Sequence, residues 1–166
     1  MTLSLEHPPI LETRTFTWPD EAACAAFAQC VATVSALRPD TFIALDGPLG
    51  SGKTTFVRHL LRALGVVGRI KSPTYAVLEP YDVDGLAVSH FDFYRLTDPR
   101  ECADAGFRDV FAAPGLKLAE WPDHAGTSLP LPDWQMELEP QDGDRRRVTV
   151  HALTPHGQQL LAALPT

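Results

Sequence analysis

Eight residues, Gly47-Pro48-Leu49-Gly50-Ser51-Gly52-Lys53-Thr54, match the pattern GxxxxGK(S/T) in full. That pattern is built to hold phosphate. Glycines at 50 and 52 let the backbone curl so that successive N–H groups point inward. A helix that starts at the loop adds its positive end. The Lys53 ammonium can bridge β- and γ-phosphates, and the Thr54 hydroxyl is a hard oxygen ligand for Mg²⁺. Gly50, Ser51, Gly52, Lys53, Thr54 and Thr55 together form the nucleotide-binding set. Pro48 lacks an N–H but lies before the donors that matter.

Such a loop needs a further carboxylate to organise the metal and the attacking group. Asp92, in "SHFDFYRL", is one choice, although Ser89 and His90 interrupt the apolar run before it. Glu120, in "LKLAEWP", directly follows a clean apolar strand. Either could instead be a strand-end carboxylate capping the next loop. Trp121 offers a rigid face for an adenine ring, or equally for core packing. "KSPTY" (71–75) stands where a loop sensing the γ-phosphate would stand, or is simply a rigid proline turn. His90 is assigned no role.

The elements that must position these groups are legible in outline. "TFIALD" (41–46) reads as a buried strand before the loop, and "TTFVRHLLRALG" (54–65) as a helix after it, stopped by Gly65. "LETRTFTW" (11–18) alternates like a half-buried strand, and residues 19–37 follow as an Ala-rich helix with Pro19 in its first turn. Asp84-Gly85 predicts a hairpin over 74–94, and Asp142-Gly143 a second one between "WQMELEP" and "RRVTVHAL". Residues 98–111 read as a short acidic helix broken at Gly106, 116–121 as a buried strand, and "PHGQQLLAALP" as a closing amphipathic helix. The expected fold class is α/β: one P-loop NTPase domain spanning 1–166, with a core of about 11–164 and a mixed parallel and antiparallel sheet flanked by helices.

Composition limits the function classes. The chain has 166 residues and 45% hydrophobic content, enough for its own core. No apolar stretch is long enough to cross a bilayer, and the N-terminus lacks the pattern of a signal peptide. Cys24, Cys30 and Cys102 form no CxxC pair, which suits small thiols in a reducing, cytoplasmic setting. A net charge of −7 argues against direct nucleic-acid binding, since a phosphate backbone rewards basic stripes. Arg145, Arg146 and Arg147 are the one basic cluster and read as a solvated strand end.

Taken in order, "GPLGSGKTTF", "KSPTYAVLEPY", "HFDFYRLTDPRECADAGFRDVF" and "LAEWP" resemble the TsaE family, also called YjeE, over about residues 19–122. The resemblance implies a small bacterial ATPase that works with TsaB and TsaD in making threonylcarbamoyladenosine in tRNA, touching the tRNA only through those partners. It implies ATP and Mg²⁺ as ligands, with Lys53 and the loop amides on the phosphates and Thr54 and Glu120 on the metal. It makes Asp92 the Walker-B-like carboxylate, Ser72 to Tyr75 a switch, and Trp121 a neighbour of the nucleotide. Tyr94 and Arg95 would brace the site or face a partner. Where the family has a threonine beside the base, this chain has Cys24, and its "GD" is "GP" here. Arg147 aligns loosely with a basic position near the base.

Two other functions fit a phosphate loop. A small-molecule kinase would need cations to clamp the transferred group, for which Arg95, Arg100 and Arg108 are available. A nucleotide-gated switch would use ATP to order a loop and would need no turnover.

Overall fold

The computed structural model describes residues 8–37, 40–73, 76–98, 100–101 and 105–165. In chain order the elements are β1 (Glu12–Trp18), α1 (Glu21–Thr33), β2 (Asp40–Asp46), α2 (Lys53–Leu64), β3 (Leu78–Val83), β4 (Leu86–Asp92), α3 (Phe107–Ala112), β5 (Gly115–Glu120), β6 (Trp134–Pro140), β7 (Arg146–Ala152) and α4 (Pro155–Ala162). Short 3₁₀ segments cover Ser35–Leu37 and Pro122–Ser128. The strands form one sheet in the order β1-β7-β6-β2-β5-β4-β3. Its centre, β6-β2-β5-β4, is parallel, and both wings are antiparallel. This is the mixed α/β architecture that the sequence predicts.

Strand β2 explains why there are two packed layers. Residues 41–45 are all buried, as expected for a strand covered on both faces. Ile43 and Leu45 join Phe56, Leu60 and Leu61 of α2 and Ala28 and Val31 of α1 in the larger core. Phe42 and Ala44 face the other way, into a smaller aromatic core with Phe91, Phe93 and Phe107. The helix α2 ends at Gly65, whose φ of 112° suits a residue without a Cβ, and its N–H bonds the Arg62 carbonyl.

Two boundaries differ from expectation, and one expected break is present. Asp20 caps α1 by accepting the Ala23 N–H at 2.9 Å, so Pro19 lies outside the helix rather than in its first turn. The helix ends at Thr33 because Val34 is extended, and only a 3₁₀ turn continues to Leu37. The break expected at Gly106 is there: residues 100–101 are helical, and α3 starts anew at Phe107 after Gly106, which sits at φ 75°. Both hairpins form where Asp-Gly predicts them, and the first turn has positive φ at Asp84 and Gly85, the I′ signature.

Candidate functional site

The topology gathers the chemistry. Strands β2, β5 and β4 are parallel neighbours, so their carboxyl ends lie side by side, where open α/β sheets bind ligands. Each of the three ends in an acid: Asp46, Glu120 and Asp92. Asp92 is directly opposite Glu120 in register, and Glu120 is opposite Leu45. The phosphate loop leaves β2 at this edge and enters α2 at Lys53. A cleft of about 270 Å³ results, lined by loop residues 49–55 with Asp92, Tyr94, Glu120, Trp121 and Arg146.

The loop is tightly folded on itself. Gly47 has φ 151°, and a Cβ there would come within 2.5 Å of the Leu138 carbonyl oxygen and 2.6 Å of Ser51 Oγ. The Ser51 N–H donates to the Pro48 carbonyl at 3.1 Å, so this amide closes the loop's own turn. Lys53 Nζ donates to the carbonyls of Gly47 and Pro48 and to Ser51 Oγ. Trp121 covers the ammonium from the side, its ring centroid 4.3 Å from Nζ. Burial pushes the Lys53 pKa down, while Glu120, Asp92 and Asp46 pull it back up.

Thr54 Oγ1 donates to Glu120 Oε1 at 2.7 Å. The other carboxylate oxygen, Oε2, lies 2.6 Å from His90 Nε2, and both side chains are almost fully buried. His90, assigned no role from the sequence, therefore fixes the orientation of the Glu120 carboxylate. Asp92 accepts the Tyr94 N–H at 3.0 Å. Burial raises its pKa first of all; the Tyr94 amide lowers it, and the Glu120 charge raises it further. Burial likewise raises Asp46, which accepts from Gln135 Nε2 at 2.8 Å.

Among the described residues no three His, Cys, Asp or Glu side chains converge into an all-protein metal cage. Mg²⁺ bound alongside a nucleotide does not need one, because it keeps waters and takes phosphate oxygens together with one or two protein oxygens. The Thr54 hydroxyl in contact with the Glu120 carboxylate, with Asp92 opposite, is a hard oxygen set that fits this ion.

The remaining predicted residues are placed as follows. Trp121 sits at φ 55° just past β5 and packs on Tyr94 and His124, at centroid distances of 5.1 and 5.3 Å. It is thus at the lysine side of the cleft, away from Cys24. Cys24 is buried and lines a second cleft of about 220 Å³ with Trp18, Asp20, Glu21, Gly52, Thr55, Asp144 and Arg146. Burial pushes its thiol up to about 12. Of the three arginines, Arg146 reaches the loop, while Arg145 and Arg147 are exposed; the reading of the whole cluster as solvated therefore fails at its middle residue. Of the 71–75 segment, Thr74 and Tyr75 lie outside the described residues, as does Cys102.

A family model described as "Threonylcarbamoyl adenosine biosynthesis protein TsaE" matches residues 18–148. The tRNA threonylcarbamoyladenosine biosynthesis protein TsaE of Haemophilus influenzae is 35% identical over 157 residues, covering 92% of this chain and 98% of that protein. The protein of the same name from Bacillus subtilis is 31% identical over 121 residues, covering 73% and 75% of the two chains. The crystal structure of Bacillus subtilis YdiB superposes with a TM-score of 0.76 at 24% identity, covering 91% of this chain and 93% of that one, so the two share a fold.

Proposed function

The chain belongs to the TsaE family, and from that premise and the geometry of the cleft we propose that it is a Mg²⁺-dependent ATPase serving threonylcarbamoylation of tRNA in the cytoplasm, alongside TsaB and TsaD. The observation that carries the ATPase reading is the contact of Thr54 Oγ1 with Glu120 Oε1 at 2.7 Å, beside Lys53 and opposite Asp92. Bound MgATP supplies a γ-phosphoryl group open to attack by water. The amides of the loop and the Lys53 ammonium hold the phosphates. Thr54 and Glu120 would hold the metal, and His90 keeps the carboxylate aimed. Asp92, opposite Glu120 in register, would accept a proton from the water that attacks the γ-phosphorus while the bond to the β,γ-bridging oxygen breaks and ADP leaves; the proton then passes to solvent. Trp121 covers the Lys53 flank and limits solvent access there.

A kinase is disfavoured by where two of the three candidate arginines lie. Arg100 is exposed and paired with Asp98 at 2.8 Å, and Arg108 lines a different groove with Phe111 and Leu129. The acidity of the chain supports docking on a more basic partner rather than on tRNA itself. The test is phosphate release by the purified chain, alone and with the TsaB–TsaD pair, next to Glu120→Gln. Low basal release, raised by the pair and lost in the variant, is the expected result. Release that is indifferent to an active pair but rises with an added small acceptor would support a kinase. Partner binding that needs ATP but survives in Glu120→Gln with no release in either form would support a pure switch.

A further inference from the structure

A phosphate cradle has a second half that its sequence pattern does not encode. If the amides of the loop point inward, its carbonyls point outward, and each needs a donor to keep its peptide from turning over. Lys53 bonds the carbonyls of Gly47 and Pro48, but it must give up these bonds to reach a phosphate. A loop held by that lysine alone would lose its support when the ligand arrived.

Arg146 supplies the missing donors from outside the loop. It is the first residue of β7, carried there by the second hairpin, and it lies opposite Pro140 on one side and Trp18 on the other. Its Nε donates to the Ser51 carbonyl at 3.0 Å and its Nη2 to the Gly50 carbonyl at 3.3 Å. The third bond, Nη1 to the Arg145 carbonyl at 2.9 Å, fixes the guanidinium against its own strand. Among the described residues its hydrogen bonds all go to main-chain carbonyls, although Asp20, Glu21 and Asp144 line the same cleft. The planar fork meets two successive carbonyls at once, a geometry that a lysine point charge does not reproduce. The side chain also borders both clefts, with Gly52 and Thr55.

We infer that Arg146 is a positioning residue for nucleotide binding: it holds the Gly50 and Ser51 carbonyls outward, so that the cradle keeps its shape while Lys53 turns to the phosphates. The inference rests on the phosphate-binding reading above. It also makes the β6–β7 hairpin part of the site, since the hairpin carries the anchor.

The test combines calorimetric titration of MgADP with amide exchange of the nucleotide-free protein. The chains compared are wild type, Lys53→Ala, Arg146→Ala, Arg146→Lys and Arg145→Ala. Arg146→Ala is expected to weaken MgADP by about ten-fold, the scale of a lost charged hydrogen bond. Arg146→Lys recovers little of this, and Arg145→Ala, which keeps the main-chain carbonyl that Arg146 bonds, binds as wild type. Exchange of the Ser51 amide, which bonds the Pro48 carbonyl, rises in Arg146→Ala without nucleotide. Full recovery by lysine with unchanged Ser51 exchange would mean that Arg146 acts as a charge on the ligand, which overturns positioning. Wild-type affinity in Arg146→Ala overturns the role altogether. Should Arg146→Ala fail to fold, Arg146→Lys carries the same comparison. If wild type binds no MgADP, or Lys53→Ala binds it equally well, the phosphate-binding reading itself falls, and Arg146 falls with it.

Discussion

Asp92 is kept at the end of β4 at a cost to stability. Burial raises its pKa above the ordinary 3.8, so the folded chain binds a proton there that the unfolded chain has already released. Stability then falls as pH rises from about 3.8 through the raised value, and the full penalty applies above it. Asp92→Asn is therefore expected to raise Tm at neutral pH, with the gain vanishing in acid below the ordinary carboxylate range. The same change should lower ATP turnover by about a hundred-fold or more if the carboxylate is the base. Melting curves across pH decide the first point; a lower Tm at neutral pH would refute the penalty. Glu120 was legible as a strand-end acid because it closes an apolar strand, and Asp92 less so, because Ser89 and His90 interrupt the run before it. His90 was not, since its meaning depends on Glu120, which the parallel pairing of β4 with β5 brings alongside. Arg146 could have been separated from Arg147 by strand alternation, which puts it on the same face as the buried Val148 and Val150.

At the scale of elements, the loop, α2 and both hairpins were readable, because glycines and Asp-Gly turns punctuate the chain locally. The ends of α1 were less so. Its run of alanines and small residues continues past the point where an extended Val34 stops it, and Asp20 outcompetes Pro19 as the start. The least legible joint is the one that ties α4 to the sheet. Asp133 accepts from the Phe42 N–H at 2.8 Å and from Thr154 Oγ1 at 2.6 Å, and Trp134 Nε1 donates to the Gly157 carbonyl at 2.9 Å. A Cβ on Gly157 would lie 2.1 Å from the Asp133 carbonyl oxygen. Alanine in place of a helical glycine ordinarily stabilises by roughly 1 kcal/mol. Here Gly157→Ala should instead destabilise by about 1–3 kcal/mol, the usual cost of overpacking. Denaturant titration gives the sign directly, and a gain in stability would mean that the joint yields.

For the whole molecule, the alternation of strand and helix patterns along the chain indicated an α/β fold, but the strand order lay beyond it. The three acids that define the site come from β2, β4 and β5, and β5 inserts between the other two only through long crossovers. Such pairing leaves no local signal in the chain. No helix among the described residues is long and apolar enough to cross a membrane. The net charge of −7 belongs to this scale as well. If the proposed partners present a more basic surface, association should slow as ionic strength rises while dissociation changes little. Stopped-flow mixing with the TsaB–TsaD pair over a salt series checks this, and a salt-independent on-rate would remove charge steering from the account.

The buried Cys24 has a practical corollary. With burial pushing its thiol up to about 12, Cys24 stays protonated at neutral and mildly alkaline pH. Alkylating reagents therefore find it inert until α1 lifts from α2, when its acidity returns to that of an ordinary cysteine. Its labelling rate is then a clock for that opening. A ligand seated in the adjoining cleft would slow the clock, so a chemical footprint at one side chain can report occupancy in a mixture too complex for calorimetry.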